Sequence, residues 1–381
     1  MRIVADENIP LVNEFFGELG EITALPGRTL RPEDVRDADV LLVRSVTRVD
    51  ADLLAGSRIR FVGTATIGCD HVDQAYLQQQ GIRFANAPGC NATSVVEYVL
   101  STLAVMNEQL GRRWGESRVG IVGLGNVGGR LKQTLEALGY EVLACDPPLR
   151  DQGVRGLVDL ETVLTCPTIS IHTPLTRAGD HPTHHLLNKE RLDCIQSNQL
   201  LINTARGPVI EEVALLEKLR QHPEWPVVLD VWEFEPRVNQ ELLSRVRLGS
   251  AHIAGYSLDG KMRGTEMIYQ ALCAHLKVPA RKSLDELLPA PPLTHLRFGA
   301  PADVDEALNI AIRACYDVRT DDALLRRALA VPNEQQAAAF DQLRKQYRVR
   351  REFARTQIQV GAAERQLRQY LEASGFPVEQ A

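Results

Sequence analysis

The chain has 381 residues, 44% hydrophobic and 24% charged, with a net charge of -6; the length predicts two or three domains rather than one core. The acidic balance argues against nucleic acid or an acidic membrane as main partner, so a small anionic substrate needs a local basic pocket. No apolar run reaches the roughly 18 residues of a membrane span, "MRIVADENIP" lacks a signal-peptide core, and the seven cysteines form no C-x-x-C pair, which together predict a cytoplasmic protein with reduced thiols and no membrane contact.

In chain order, "RIVADENIP", "DVLLVRSVTRV" and "RIRFVGTATIGCDHVD" read as short apolar strands ending in polar or glycine-containing turns, with helical "VNEFFGELG" and "VDQAYLQQQG" between them. The first ninety or so residues therefore read as an open α/β layer with a parallel sheet, whose ligand groups belong at the strand ends. "NATSVVEYVLSTLAVMNEQL" reads as a long helix leading out of it. A second α/β pattern follows, with buried strands in "RVGIVGLG", "YEVLACDPP", "CPTISIHTPL", "NQLLINTARG", "WPVVLDVWEFEP" and "VRLGSAHIAGY". Past the Pro-rich "LPAPPLTHL" the chain is Arg/Gln-rich and helical, with one strand-like "TQIQV". Its apolar helical faces are too few for a secure isolated core, which predicts that the tail pairs two subunits. The expected fold class is thus α/β: two Rossmann-like doubly wound parallel-sheet domains plus a mainly helical α+β C-terminal domain.

"VGIVGLGNVGGRL" places Gly123, Gly125 and Gly128 in G-x-G-x-x-G spacing, after a strand and opening a helix. The glycines allow a tight turn, close approach of the backbone to a pyrophosphate, and close packing of helix on strand. Asn126 and Val127 start the helix that faces the phosphates. Asp146 follows the next strand, where a carboxylate binds both adenosine ribose hydroxyls and repels a 2′-phosphate, favouring NAD over NADP. The structural alternative for Asp146 is a strand-end turn before Pro147 and Pro148.

Three residues at strand ends of this second unit suit oxidation of a hydroxy acid. Arg206 can clamp a carboxylate, and Glu235 can orient and charge-stabilise the imidazole of His252, which then exchanges the hydroxyl proton. Alone, each is more often a satisfied or solvated polar residue; their joint occurrence behind a dinucleotide loop favours chemistry. The motifs "GTATIGCDHVD", "GLGNVGGRL", "HTPLT", "NTARGPVIEE", "DVWEFEP" and "HIAG" resemble, in order and spacing, the D-isomer-specific 2-hydroxyacid dehydrogenases over about residues 1–285. The resemblance implies catalytic roles for Arg206, Glu235 and His252. It implies a substrate domain of residues 1–94 with 255–285, an NAD-binding domain of 95–254 and a tail of 286–381. It also implies that Thr173, Ala205, Asp230 and Gly255 lie near the nicotinamide or its ribose.

Within that family, "ADENIP", "VRSVTRV", "GYSLDGKMRGT" and the tail resemble a branch acting on a small phosphorylated hydroxy acid. Arg44, Ser45 and Thr47 cluster at one strand end, Thr66 follows the next, and Tyr256 adds a hydroxyl. The resemblance makes Ser45, Thr66 and Tyr256 substrate contacts, and Arg44 supplies a cation. The alternatives are a relative with another hydroxy acid and a non-catalytic NAD sensor on the same scaffold. His181, His184 and His185 lie close together, but no cysteine flanks them and the expected reaction needs no metal, so none is expected. His172 is expected to shape a strand end. Cys69, Cys90 and Cys145 lie beside site segments without a partner for nucleophilic work. The basic run "LRKQYRVRREF" reads as a solvated helix face or subunit contact.

Overall fold

The computed structural model describes residues 1–299, 303–361 and 364–380. The chain divides into two compact units, Met1–Asn91 with Ser257–Pro289 and Ala92–Tyr256 with Ala290–Ala381.

The first unit holds β1 (Arg2–Asp6), β2 (Glu21–Leu25), β3 (Val40–Val43), β4 (Phe61–Thr64) and β5 (Arg83–Ala85), all parallel, in the order β2-β1-β3-β4-β5. The inner strands β3 and β4 are buried at every position, as a sheet covered on both faces requires. Alternate residues feed two cores: Ile3, Val40 and Leu42 pack with Phe15, Tyr269 and Leu272, while Val4, Leu41 and Val43 pack with Val35, Leu53 and Leu77. Tyr269 and Leu272 lie on helix Leu258–Leu276, for which the chain returns to this unit. That helix packs closely on Gly63, where an added Cβ would stand 2.3 Å from Ile268. The edge strands β2 and β5 are only partly buried; with weak apolar patterns they escaped the sequence reading.

The second unit holds β6 (Arg118–Val122), β7 (Glu141–Cys145), β8 (Thr168–Ile171), β9 (Leu200–Asn203), β10 (Val227–Leu229) and β11 (Leu248–Gly249), again parallel, in the order β11-β10-β9-β8-β6-β7. The winding reverses between β6 and β8, the place where open α/β sheets bind ligands. Helix Ala92–Leu110 is buried on nearly every side, which explains its apolar composition all round.

The tail carries helices Val304–Cys315, Val318–Ala328, Asn333–Lys345 and Arg365–Ala373. It also carries a parallel sheet of β12 (His295–Arg297), β13 (Gln357–Val360) and β14 (Val378–Gln380), in the order β12-β13-β14. "TQIQV" contributes β13; its three-residue neighbours are too short to show a period. Two expectations change here. Leu308, Ala311 and Ile312 are fully buried in one cluster with Tyr98, Leu103 and Leu138, so these apolar faces are covered within the chain and are not the ones a second subunit would bury. The basic run is not merely a solvated face, because Arg350 and Arg351 are buried. No helix among the described residues is long and apolar enough to cross a membrane.

Candidate active site

The glycine-rich loop follows β6 at the switch point. Gly123 has φ 91°, and a Cβ there would stand 2.8 Å from the His172 carbonyl at the end of β8; a side chain has neither the conformation nor the room. At Gly128 a Cβ would stand 1.9 Å from the Gly123 oxygen, so helix Asn126–Ala137 packs against the loop itself. Gly125 caps that helix and faces open space, with nothing within 4 Å of an added Cβ. Asn126 and Val127 begin the helix, whose first-turn N–H groups are suited to an anion.

Asp146 ends β7 and does two structural jobs. One oxygen accepts the Leu124 N–H at 2.7 Å and the other the Leu149 N–H at 3.0 Å. Asp146 thus caps helix Pro147–Asp151 and tethers the glycine loop, and each oxygen keeps a further lone pair for a ribose hydroxyl. Past β8, the Thr173 hydroxyl is buried without a partner among the described residues, an unmet polar group on the cofactor side. Open space at Gly125, free helix N–H groups and this hydroxyl fit a dinucleotide.

The ends of β9, β10 and β11 carry the three candidate catalytic residues. After β9, the Asn203 side chain accepts the Ala205 N–H at 3.0 Å and donates to the Arg206 carbonyl at 3.1 Å, fixing the loop. Ala205 is buried, and its carbonyl accepts Arg206 Nη1 at 2.7 Å. Arg206 is exposed, and among the described residues no carboxylate pairs with it. Gly207 lets this loop touch the next, since its Cβ would fall 2.0 Å from the Trp232 carbonyl.

His252 stands in the left-handed region at φ 55°, a conformation that costs a non-glycine residue energy unless its surroundings impose it. They do. Its N–H donates to the Asp230 carbonyl at 2.7 Å, and the Asp230 carboxylate accepts Ser250 Oγ at 2.6 Å, Ile253 N–H at 2.8 Å and Ala254 N–H at 2.9 Å. Ser250 bonds the Tyr98 hydroxyl at 2.7 Å. Asp230 is 1% exposed, and its burial raises its carboxyl despite His252 and these donors. The geometry therefore gives Asp230 the role of organising the His252 turn. His252 Nδ1 bonds Glu235 Oε1 at 2.6 Å, and Glu235 Oε2 accepts the Trp232 N–H at 3.3 Å. Burial pushes Glu235 up, but the bond to His252, its charge, the Trp232 N–H and the charge of Arg344 outweigh it, holding the carboxyl below its ordinary value. Gly255 and Tyr256 follow, half-buried. Asn203, Ser250 and Tyr98 were missed in sequence because nothing local marks them; Tyr98 and Ser250 are 152 positions apart.

In the first unit, Arg44 follows β3, and among the described residues its Nη1 reaches only the Asn8 carbonyl, at 3.4 Å. Ser45 is exposed with no hydrogen bond among the described residues. Thr66 bonds Thr64 at 2.8 Å and the Gly68 carbonyl at 3.0 Å; Thr64 also bonds His71 at 2.9 Å. Thr47 leaves the cluster expected from sequence, being buried with its hydroxyl on the Gly27 carbonyl at 3.0 Å.

His172 is held by Ser170 at 2.8 Å and Thr204 at 3.2 Å, and burial pushes it down to about 3, so a neutral ring braces two strand ends. The fold adds an acidic neighbour from 48 positions away: Glu233 bonds His185 Nε2 at 2.7 Å, with His184 stacked on His185. The other Glu233 oxygen accepts the Glu212 N–H at 2.8 Å, so that carboxylate is already engaged. Burial raises Cys69, and raises Cys145 to about 11, leaving neither as a ready thiolate.

The family model described as "D-isomer specific 2-hydroxyacid dehydrogenase, NAD binding domain" matches residues 97–254, and one for a domain of unknown function matches 287–375. The erythronate-4-phosphate dehydrogenase of Marinobacter nauticus is 53% identical over 380 residues, covering 99% of each chain. That of Hahella chejuensis is 50% identical, again covering 99% of each. Among solved structures, an NAD-bound 3-phosphoglycerate dehydrogenase of Entamoeba histolytica aligns with TM-score 0.60 at 23% identity, over 73% of this chain and 95% of the other. A D-lactate dehydrogenase of Treponema pallidum aligns with TM-score 0.58 at 22% identity, over 74% and 98%. The structural matches carry the fold and the full-length relatives carry the branch: the chain belongs to the erythronate-4-phosphate dehydrogenases, within the NAD-dependent D-isomer-specific 2-hydroxyacid dehydrogenase family.

Proposed function

We propose that the protein oxidises 4-phospho-D-erythronate at C2 to 2-oxo-3-hydroxy-4-phosphobutanoate, a step of pyridoxal 5′-phosphate synthesis in the cytoplasm. The observation that carries the chemistry is the 2.6 Å bond between His252 Nδ1 and Glu235 Oε1. With Nδ1–H donated to the carboxylate, Nε2 keeps its lone pair and takes the C2 hydroxyl proton. The nearby negative charge stabilises the resulting imidazolium. Arg206 pairs with the substrate carboxylate, and its freedom from any protein carboxylate among the described residues supports that role. Bound NAD supplies the acceptor for the C2 hydride. Gly123, Gly125, Asn126, Val127 and Gly128 hold its pyrophosphate and Asp146 its adenosine ribose, while Thr173, Ala205, Asp230 and Gly255 border the nicotinamide half.

Arg44, Ser45, Thr66 and Tyr256 are the proposed substrate contacts. Residues 1–94 with 255–285 form the substrate domain, 95–254 the NAD domain and 286–381 a domain that pairs two copies. The family match over 97–254 supports the middle boundary. For the dimer, Ile310 and Val349 are the large apolar side chains exposed among the tail's described residues; a monomeric mass in light scattering at micromolar concentration would remove this part. Substrate identity is tested by kcat/KM for 4-phosphoerythronate, 3-phosphoglycerate and unphosphorylated erythronate, with a 2-oxo acid present to reoxidise held cofactor. The first should be far the best substrate. Equal use of 3-phosphoglycerate would overturn the substrate while leaving the dehydrogenase intact.

A further inference from the structure

The basic run from 344 to 351 separates into residues with different fates. Arg350 is buried, donating to the Ala254 carbonyl at 3.1 Å and the Ser94 carbonyl at 2.5 Å, with Glu97 3.5 Å away and the Tyr316 ring 3.7 Å from its guanidinium. Arg348 faces Asp321 at 3.6 Å. Both have carboxylate partners and belong to the scaffold.

Arg344 differs. It lies in the last turn of helix Asn333–Lys345. Its Nη2 donates to the Tyr256 hydroxyl at 3.0 Å, and its guanidinium lies 5.5 Å from the Tyr256 ring centroid and 6.0 Å from that of Phe340. Among the described residues no carboxylate forms an ion pair with it, and Nε is buried with no partner at all. A helix C-terminus favours a cation, but that does not explain a guanidinium turned onto the tyrosine four residues past His252 with donors left over. Its charge reaches the catalytic pair, since it is among the groups that hold Glu235 low against the effect of burial.

We infer that Arg344 is an anion-recognising residue of the active site, supplied by the C-terminal segment, which with the Tyr256 hydroxyl takes the phosphate of the substrate. The inference rests on the substrate reading above. A phosphate monoester carries close to two negative charges and oxygens spaced for a guanidinium fork. A lysine keeps the charge and loses the fork.

The test measures R344Q and R344K with 4-phosphoerythronate and unphosphorylated erythronate, with inorganic phosphate as a competitive inhibitor. R344Q should lose about 100-fold in kcat/KM on the phosphorylated acid, at least about tenfold less than that on the unphosphorylated one, and lose inhibition by phosphate. R344K should lie between, and NADH binding should hold. Equal losses on both substrates would make the residue structural and overturn the inference, as would undiminished phosphate inhibition in R344Q. A shifted pH profile with phosphate inhibition intact would mean that it acts only through Glu235, which also overturns it. If wild-type enzyme itself does not prefer the phosphorylated acid, the substrate reading fails. Phosphate inhibition of wild type against R344Q then decides Arg344 alone. If R344Q does not fold, R344K decides by the same two readouts.

Discussion

The strand ends of the two parallel sheets are built differently. Past β10 and β11, the Asp230 carboxylate alone accepts three hydrogen bonds, His252 is locked to Glu235 at 2.6 Å, and its own N–H is held at 2.7 Å. Past β3, Arg44 has one long contact of 3.4 Å and Ser45 has none among the described residues. With His252 as the proposed base, proton transfer tolerates little displacement of the ring, so its support must be over-determined. Groups that meet a ligand keep unused hydrogen-bonding capacity until it arrives. Arg206 joins both types: its backbone is clamped by Asn203, while its guanidinium faces outward with no carboxylate partner among the described residues.

The largest break is expected from His252→Ala or Arg206→Ala. Each should lower kcat about 10³-fold or more, with NADH affinity within about threefold because the glycine loop is untouched. Turnover within about tenfold of wild type would place the chemistry elsewhere. Asp230→Ala tests the rigid side without touching the base. It strands two buried N–H groups and leaves the Ser250 hydroxyl with Tyr98 alone, which should cost about 2 kcal/mol or more in unfolding free energy and lower kcat by about 100-fold. Unchanged stability would mean that the His252 turn does not depend on it.

The loose side should respond otherwise. Ser45→Ala should reduce kcat/KM about tenfold with no change in thermal midpoint, because no protein bond is lost. A lowered midpoint would show that the strand end is as interlocked as its counterpart.

The smallest effect is a shift in pH dependence. Glu235 is held below its ordinary value, chiefly by His252 acting against burial. Its ionised contribution is therefore complete above the ordinary carboxylate range and is lost as pH falls through the lower folded value. In Glu235→Gln the imidazolium loses its negative neighbour, so the acidic limb of kcat/KM for oxidation should move about one unit lower. Superimposable profiles would separate the two residues functionally.

Much of this was legible in one dimension because the signals are local. A G-x-G-x-x-G turn needs glycines at fixed spacing for reasons contained in a dozen residues: left-handed φ at Gly123 and no room for a Cβ at Gly128. Buried parallel strands show as unbroken apolar runs, as in VLLV and VVL, and open α/β sheets bind ligands past such strand ends. The partnerships were not legible. Tyr98 and Ser250 meet across 152 positions, Glu233 is brought to His185 across 48, and Arg344 reaches Tyr256 across 88. The tail shows the limit most plainly: its amphipathic helices read the same whether they cover another subunit or their own chain, and only tertiary structure put Leu308 and Ile312 into the core with Tyr98. Periodicity records that a face must be buried, because the cost of exposing apolar area is a property of the helix. What buries it depends on the packing of distant segments, which no local pattern encodes.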